Sequence, residues 1–157
     1  MIRSGDLFIA GRSGGVVGAI ISWRGGFAGV APAHIFRQAG TRELRLGGIS
    51  CRVSYFPDDA DLAFFPILAP CQLTALGKPH PGEAELVNAR HSIACRVSDF
   101  SWSIVYVILP PGDLPGPGDS GSALVQDDRV VGLLLSINMH TCRGTAISAE
   151  MIEREIV

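Results

Sequence analysis

The segment Gly116-Pro117-Gly118-Asp119-Ser120-Gly121-Ser122 presents one serine in a turn rich in glycine and proline, then runs straight into the apolar stretch Ala123-Leu124-Val125. A serine hydroxyl is protonated at neutral pH and attacks poorly. It becomes a nucleophile when a base lies within hydrogen-bond reach and N–H donors hold the oxyanion that its attack creates. The flanking glycines let the backbone turn so that the N–H groups of Gly118 and Ser120 aim at one point. The plainer reading is a glycine-rich turn with an exposed serine. For the base, His34 stands out, because it follows the apolar run Gly26 to Ala31 and sits where a strand leaves its sheet. His80 lies between prolines, and His91 and His140 lie in polar surroundings, so all three read as surface residues. The third group must be an acid that fixes the imidazole tautomer. Of Asp58, Asp59 and Asp61, only Asp61 abuts the apolar run Leu62-Ala63-Phe64-Phe65; the other two follow Pro57 as a solvated turn, and the cluster alone reads equally as a surface turn or cation site.

These groups are scattered over a chain of 157 residues, so the elements between them must bring them together. The sequence is 47% apolar and 18% charged with a net charge of −2, which excludes a disordered chain and, with no block of like charge, makes nucleic acid an unexpected partner. No uncharged stretch reaches the roughly 20 apolar residues of a membrane helix. The N-terminus carries Gly5 and Asp6 where an export signal needs unbroken apolar residues, so a cytoplasmic location, in its own cell or in a host cell, is the expectation. Four cysteines stand far apart with no C-x-x-C pair and are expected as free thiols.

Short runs rich in Val, Ile, Leu and Phe, punctuated by 19 glycines and 10 prolines, predict an all-β chain. Six candidate strands, 6–10, 16–23, 26–31, 43–46, 50–56 and 62–66, precede a proline-rich crossing from Pro66 to Pro81. A second set of seven begins within it and continues beyond: 72–76, 85–88, 93–97, 103–109, 122–126, 130–136 and 144–147. Arg24-Gly25-Gly26, Gly47-Gly48 and Asp127-Asp128 read as hairpin turns, which favours antiparallel neighbours. Only the tail, Ser148 to Val157, reads as helical, with Ser148 as cap.

Ala31-Pro32-Ala33-His34, Asp61-Leu62-Ala63 and Gly118-Asp119-Ser120-Gly121, in that order, resemble the three signature segments of chymotrypsin-like serine proteases. The resemblance continues through Val130 to Ser136 and Gly144 to Ser148. It implies one protease domain over residues 1–157, built as two six-stranded antiparallel barrels, about 1–68 and 71–147, with a short C-terminal helix at about 149–156. It implies His34, Asp61 and Ser120 as catalytic groups, the Gly118 and Ser120 N–H groups as the oxyanion hole, a polypeptide substrate, and neither metal nor cofactor.

The chain departs from the digestive enzymes of that family in having Ile35 after the histidine, where they have a disulfide cysteine. With spacings of only 27 and 59 residues along the chain from His34 to Asp61 and from Asp61 to Ser120, it resembles compact viral or bacterial members. With Met1 and Ile2 leading into the first strand, no activating cleavage is expected, and Asp119 must find a partner other than a new N-terminus or face solvent. The substrate pocket is expected from Leu114, Pro115, Leu135, Ser136 and Asn138, the leucine at 114 favouring a small or apolar side chain over Lys or Arg. Processing of a viral polyprotein fits a compact core. A precursor or a strand-donating protein cofactor stays open as partner, and an inactive protease fold kept as a binding module is the alternative.

Overall fold

A computed structural model describes residues 1–156 of the chain. The first half contains β1 (Leu7–Ala10), β2 (Ser13–Val16), β3 (Ala19–Trp23), β4 (Gly26–Ala31), α1 (Ala33–Ala39), β5 (Glu43–Leu46), β6 (Ile49–Arg52) and β7 (Ala63–Ile67). The second contains β8 (Gly82–Val87), β9 (Ser92–Phe100), β10 (Ile104–Ile108), β11 (Ala123–Gln126), β12 (Arg129–Asn138), β13 (Arg143–Ser148) and α2 (Glu150–Glu153). Every pairing between these strands is antiparallel. The three hairpin turns fall where their residues predict. Two of them place both central residues at positive φ, Arg24 and Gly25 at 48° and 80°, Asp127 and Asp128 at 52° and 60°, the backbone twist that a two-residue hairpin requires.

The second half is a closed barrel in the order β10-β13-β12-β11-β8-β9. The first half holds two sheets, β2-β1-β5-β6 and β3-β4-β7, joined at both seams. At one, Val17 N–H donates to the Asp6 carbonyl and Gly18 N–H to that of Val30, at 2.8 and 2.9 Å, so the chain passes from one sheet to the other within two residues. The single strand expected over 16–23 is therefore divided between the sheets, and Ser13–Val16 adds a seventh strand to the six expected. At the other seam Ser54 N–H donates to the Phe64 carbonyl and Phe64 N–H to that of Tyr55, each at 2.9 Å. Closed at both seams, the two sheets form a barrel.

Residues 72–76, expected as a strand, form none. Thr74 N–H donates to the Ile20 carbonyl at 2.9 Å and Ile20 N–H to Thr74 Oγ1 at 2.8 Å, while Val130 N–H donates to the Ala75 carbonyl. The segment divides its bonds between the halves and straps them together.

Two-residue periodicity decides where each side chain goes. On β7, Ala63, Phe65 and Ile67 face the interior of the first barrel with Phe8, Ile20 and Phe36, while Phe64 and the preceding Leu62 face the seam with Leu133, Ile147, Met151 and Ile152. Leu86, Val105, Leu124 and Leu134 fill the second barrel. Burying a leucine or phenylalanine stabilises by roughly 2 to 3 kcal/mol, so the seam cluster binds the halves with α2 as part of the joint.

Helix α1 was not expected. The regular part of α2 is shorter than the helical tail, closing with turns up to the Ile156 N–H, which donates to the Glu153 carbonyl at 3.0 Å; Val157 lies outside the described residues. Ser148 Oγ does accept the Glu150 N–H, at 3.3 Å. All four cysteines are free, with Cys51 buried and the others partly so. No helix among the described residues is long and apolar enough to cross a membrane.

Candidate active site

The end of β4 and the start of β7 deliver the first two groups. After β4, Pro32 caps α1 with φ −61° and ψ 136°, which places His34 in the first helical turn. First-turn N–H groups have no partner inside a helix. The His34 N–H finds one in Asp61 Oδ1 at 2.8 Å, while Asp61 Oδ2 lies 2.7 Å from His34 Nδ1. One carboxylate thus satisfies a helix terminus and orients the imidazole on it. Burial opposes ionisation of Asp61, but the two bonds from His34 outweigh it and hold the carboxyl below the usual range. Of the three aspartates, Asp61 is the one brought to His34. Asp59 forms a bidentate ion pair with Arg154, just past α2, and so anchors the same loop to the C-terminal segment.

On the far side of the ring, His34 Nε2 lies 3.4 Å from Ser120 Oγ. That is wider than a strong hydrogen bond, as is common for a catalytic pair before substrate arrives. The serine loop is held across both halves: the Ser120 carbonyl accepts the Val16 N–H at 3.0 Å, and the Gly121 N–H donates to the Leu134 carbonyl at 2.8 Å. Among the described residues, the N–H groups of Gly118 and Ser120 take no part in any hydrogen bond. Gly121 has φ +93°, and a Cβ there would overlap the Val16 carbonyl oxygen. Gly121→Ala is expected to destabilise by roughly 3 kcal/mol, from positive-φ strain and overpacking together. A thermal melt should fall by roughly 6 to 12 °C; an unchanged midpoint would contradict this packing.

Asp119, beside the serine, is buried and fully partnered. Its Oδ1 accepts from Asn88 Nδ2 at 3.0 Å and Arg90 Nη2 at 2.6 Å, its Oδ2 from the Gly116 N–H at 2.7 Å, and His91 Nε2 lies 3.1 and 3.2 Å from the two oxygens. Burial raises its pKa, but these bonds prevail and leave it below the usual carboxylate range. His91 is thus no mere surface residue. Asn88 Oδ1 also accepts the N–H groups of Arg90 and His91, shaping the β8–β9 turn that carries all three. These three positioning residues went unnoticed in the sequence, where the only pointer was that an aspartate beside the serine needs a cation.

No family model matches the sequence, and no curated protein is similar to it at the sequence level. Solved structures are similar in fold. A glutamic acid specific serine protease superposes with a TM-score of 0.73 at 14% identity, over 98% of this chain and 95% of its own. A Nocardiopsis protease gives 0.69 at 16% identity, covering 94% of this chain and 90% of its own. The NSP4 proteinase of Equine Arteritis Virus gives 0.63 at 20%, over 94% and 72%. The fold is chymotrypsin-like. In this chymotrypsin-like pair of barrels, His34 and Asp61 of the first half meet Ser120 of the second across the seam.

The five residues expected to form the pocket are not brought together in the same way. Ser136 and Asn138 line a hollow of about 570 Å³ on the outer face of β10, β12 and β13, beside Tyr106 and Arg143. Leu114 packs towards the interior of the second barrel and Leu135 towards the seam, while Pro115 is buried. A register shift between Leu134 and Ser136 breaks the alternation of β12, so that Leu134 and Ile137, three apart, both pack inside the barrel while Ser136 and Asn138 line the outer hollow.

Proposed function

We propose that this chain is a serine endopeptidase. The observation that carries the reading is one imidazole held at 2.7 Å by Asp61 on one nitrogen and facing Ser120 Oγ at 3.4 Å with the other. Ser120 Oγ attacks the scissile carbonyl carbon as His34 Nε2 takes its proton, and the tetrahedral oxyanion lies between the N–H groups of Gly118 and Ser120. Collapse breaks the C–N bond, and His34 passes its proton to the leaving amine. Water then attacks the acyl-enzyme with His34 as base again, releasing the acid and restoring Ser120.

A polypeptide substrate is supported by β12, which runs past Leu134 to Asn138 with β13 on one side only, leaving an edge on which an extended acyl segment can add. A fluorophosphonate probe should leave one adduct, mapped to Ser120 by mass spectrometry and absent from His34→Gln. A chain that folds but takes no label would instead be a protease fold retained as a binding module.

A further inference from the structure

We propose that the cavity beside Gly118 is a subsite for an acidic side chain on the leaving-group side of the scissile bond. It rests on the endopeptidase reading and adds the charge of the substrate. The cavity, about 510 Å³, is walled by Leu7, Ile9 and Gly14 of the first barrel, by Arg45 in β5, and by Arg90 and Gly118 of the second half. Gly118 is also one of the two N–H donors assigned to the oxyanion, so the cavity adjoins the site where the scissile carbonyl would lie.

Its side of the bond follows from the strands. The acyl segment lies on the free edge of β12 beyond Leu134, and β2 flanks Ser120 from the other barrel through the Val16 N–H. The segment that leaves with the proton from His34 must therefore pass over β1 and β2.

The charge is one-sided. No carboxylate lines the cavity, whereas two guanidinium groups do. Arg45 has only the neutral Ser50 hydroxyl, at 3.2 Å, and no carboxylate oxygen within 4.0 Å among the described residues. Arg90 binds the buried Asp119 through Nη2 alone, leaving Nη1 without a hydrogen bond among the described residues, and its guanidinium lies against Gly118, with Nη2 and Nη1 3.1 and 3.3 Å from where a Cβ there would project. Leu7 and the half-exposed Ile9 offer apolar wall for methylene groups. An aspartate or glutamate at the first or second position after the scissile bond fits this chemistry: apolar stem against β1, carboxylate to the arginines.

The test uses peptides identical up to the scissile bond and differing only in Glu, Gln or Lys at those two positions. Glu is expected to exceed Gln in kcat/KM by about fivefold and Lys by more, as befits half-exposed pairs, and the gap should narrow as salt rises. Arg45→Glu should invert the order of Glu and Lys. Equal rates for the three, or an order unaltered by Arg45→Glu, would overturn the subsite. A chain labelled at Ser120 that cuts without charge preference refutes the subsite alone; a chain neither labelled nor active refutes the endopeptidase reading and the subsite with it.

Discussion

A Ser120→Ala chain is expected to lose about 10⁶-fold in kcat on any peptide the natural chain cleaves. Its fold should be unchanged, because the Ser120 hydroxyl has one partner, His34 Nε2 at 3.4 Å, and removing it strands no buried group. Rate enhancement over water should not vanish: the two N–H groups that hold the oxyanion are backbone and survive the substitution, worth a residual of about 10³. The informative measurement is the double variant. Ser120 and His34 act as one unit, so Ser120→Ala with His34→Ala should be no slower than either alone. If the two losses multiplied, the hydroxyl and imidazole would be acting independently and the proposed proton transfer between them would be wrong.

Asp61→Asn is expected to cost about 10⁴ in kcat. An asparagine oxygen can still accept the His34 N–H, but its NH₂ group would then face Nδ1. That forces the ring proton onto Nε2, where it points at Ser120 and cannot accept from it. The imidazolium that forms during attack also loses its counter-charge. Because the Asp61 carboxyl lies below its ordinary value, it stays ionised throughout the range above about pH 5, and loss of rate between about pH 5 and 8 is not its titration. A lowered carboxyl stabilises the fold above its unfolded value of about 3.9, and that contribution fades as pH falls through the lowered one. Unfolding of Asp61→Asn followed through that acid range should show a shallower pH dependence than the natural chain, and a loss in kcat of less than tenfold would remove Asp61 from the mechanism.

Much of the second barrel was legible because its strands alternate and its turns are local: Asp127-Asp128 lies between Gln126 and Arg129, which pair directly. The three groups of the candidate site were legible for a related reason, since each sits at the boundary between an apolar run and a turn. What was hidden depends on distance in sequence. Helix α1 is seven residues long, starts at a proline with no Ser, Thr or Asp cap of its own, and takes its capping carboxylate from Asp61, 27 residues away. The Asn88, Arg90 and His91 cradle forms only when the β8–β9 turn meets the serine loop, about 30 residues on. The residues expected to form the pocket are spread over different faces for a smaller reason: one shift of register in β12 reassigns every side chain after it.

The double duty of Asp61 makes order in the site an all-or-none property. The oxygen that ends α1 and the oxygen that aligns the imidazole belong to one rigid carboxylate. Fraying of the first turn of α1 and misalignment of the base are thus a single event. The population of misaligned sites is set by the free energy of that local opening, so hydrogen exchange at the His34 amide is expected to report how often the imidazole loses its alignment.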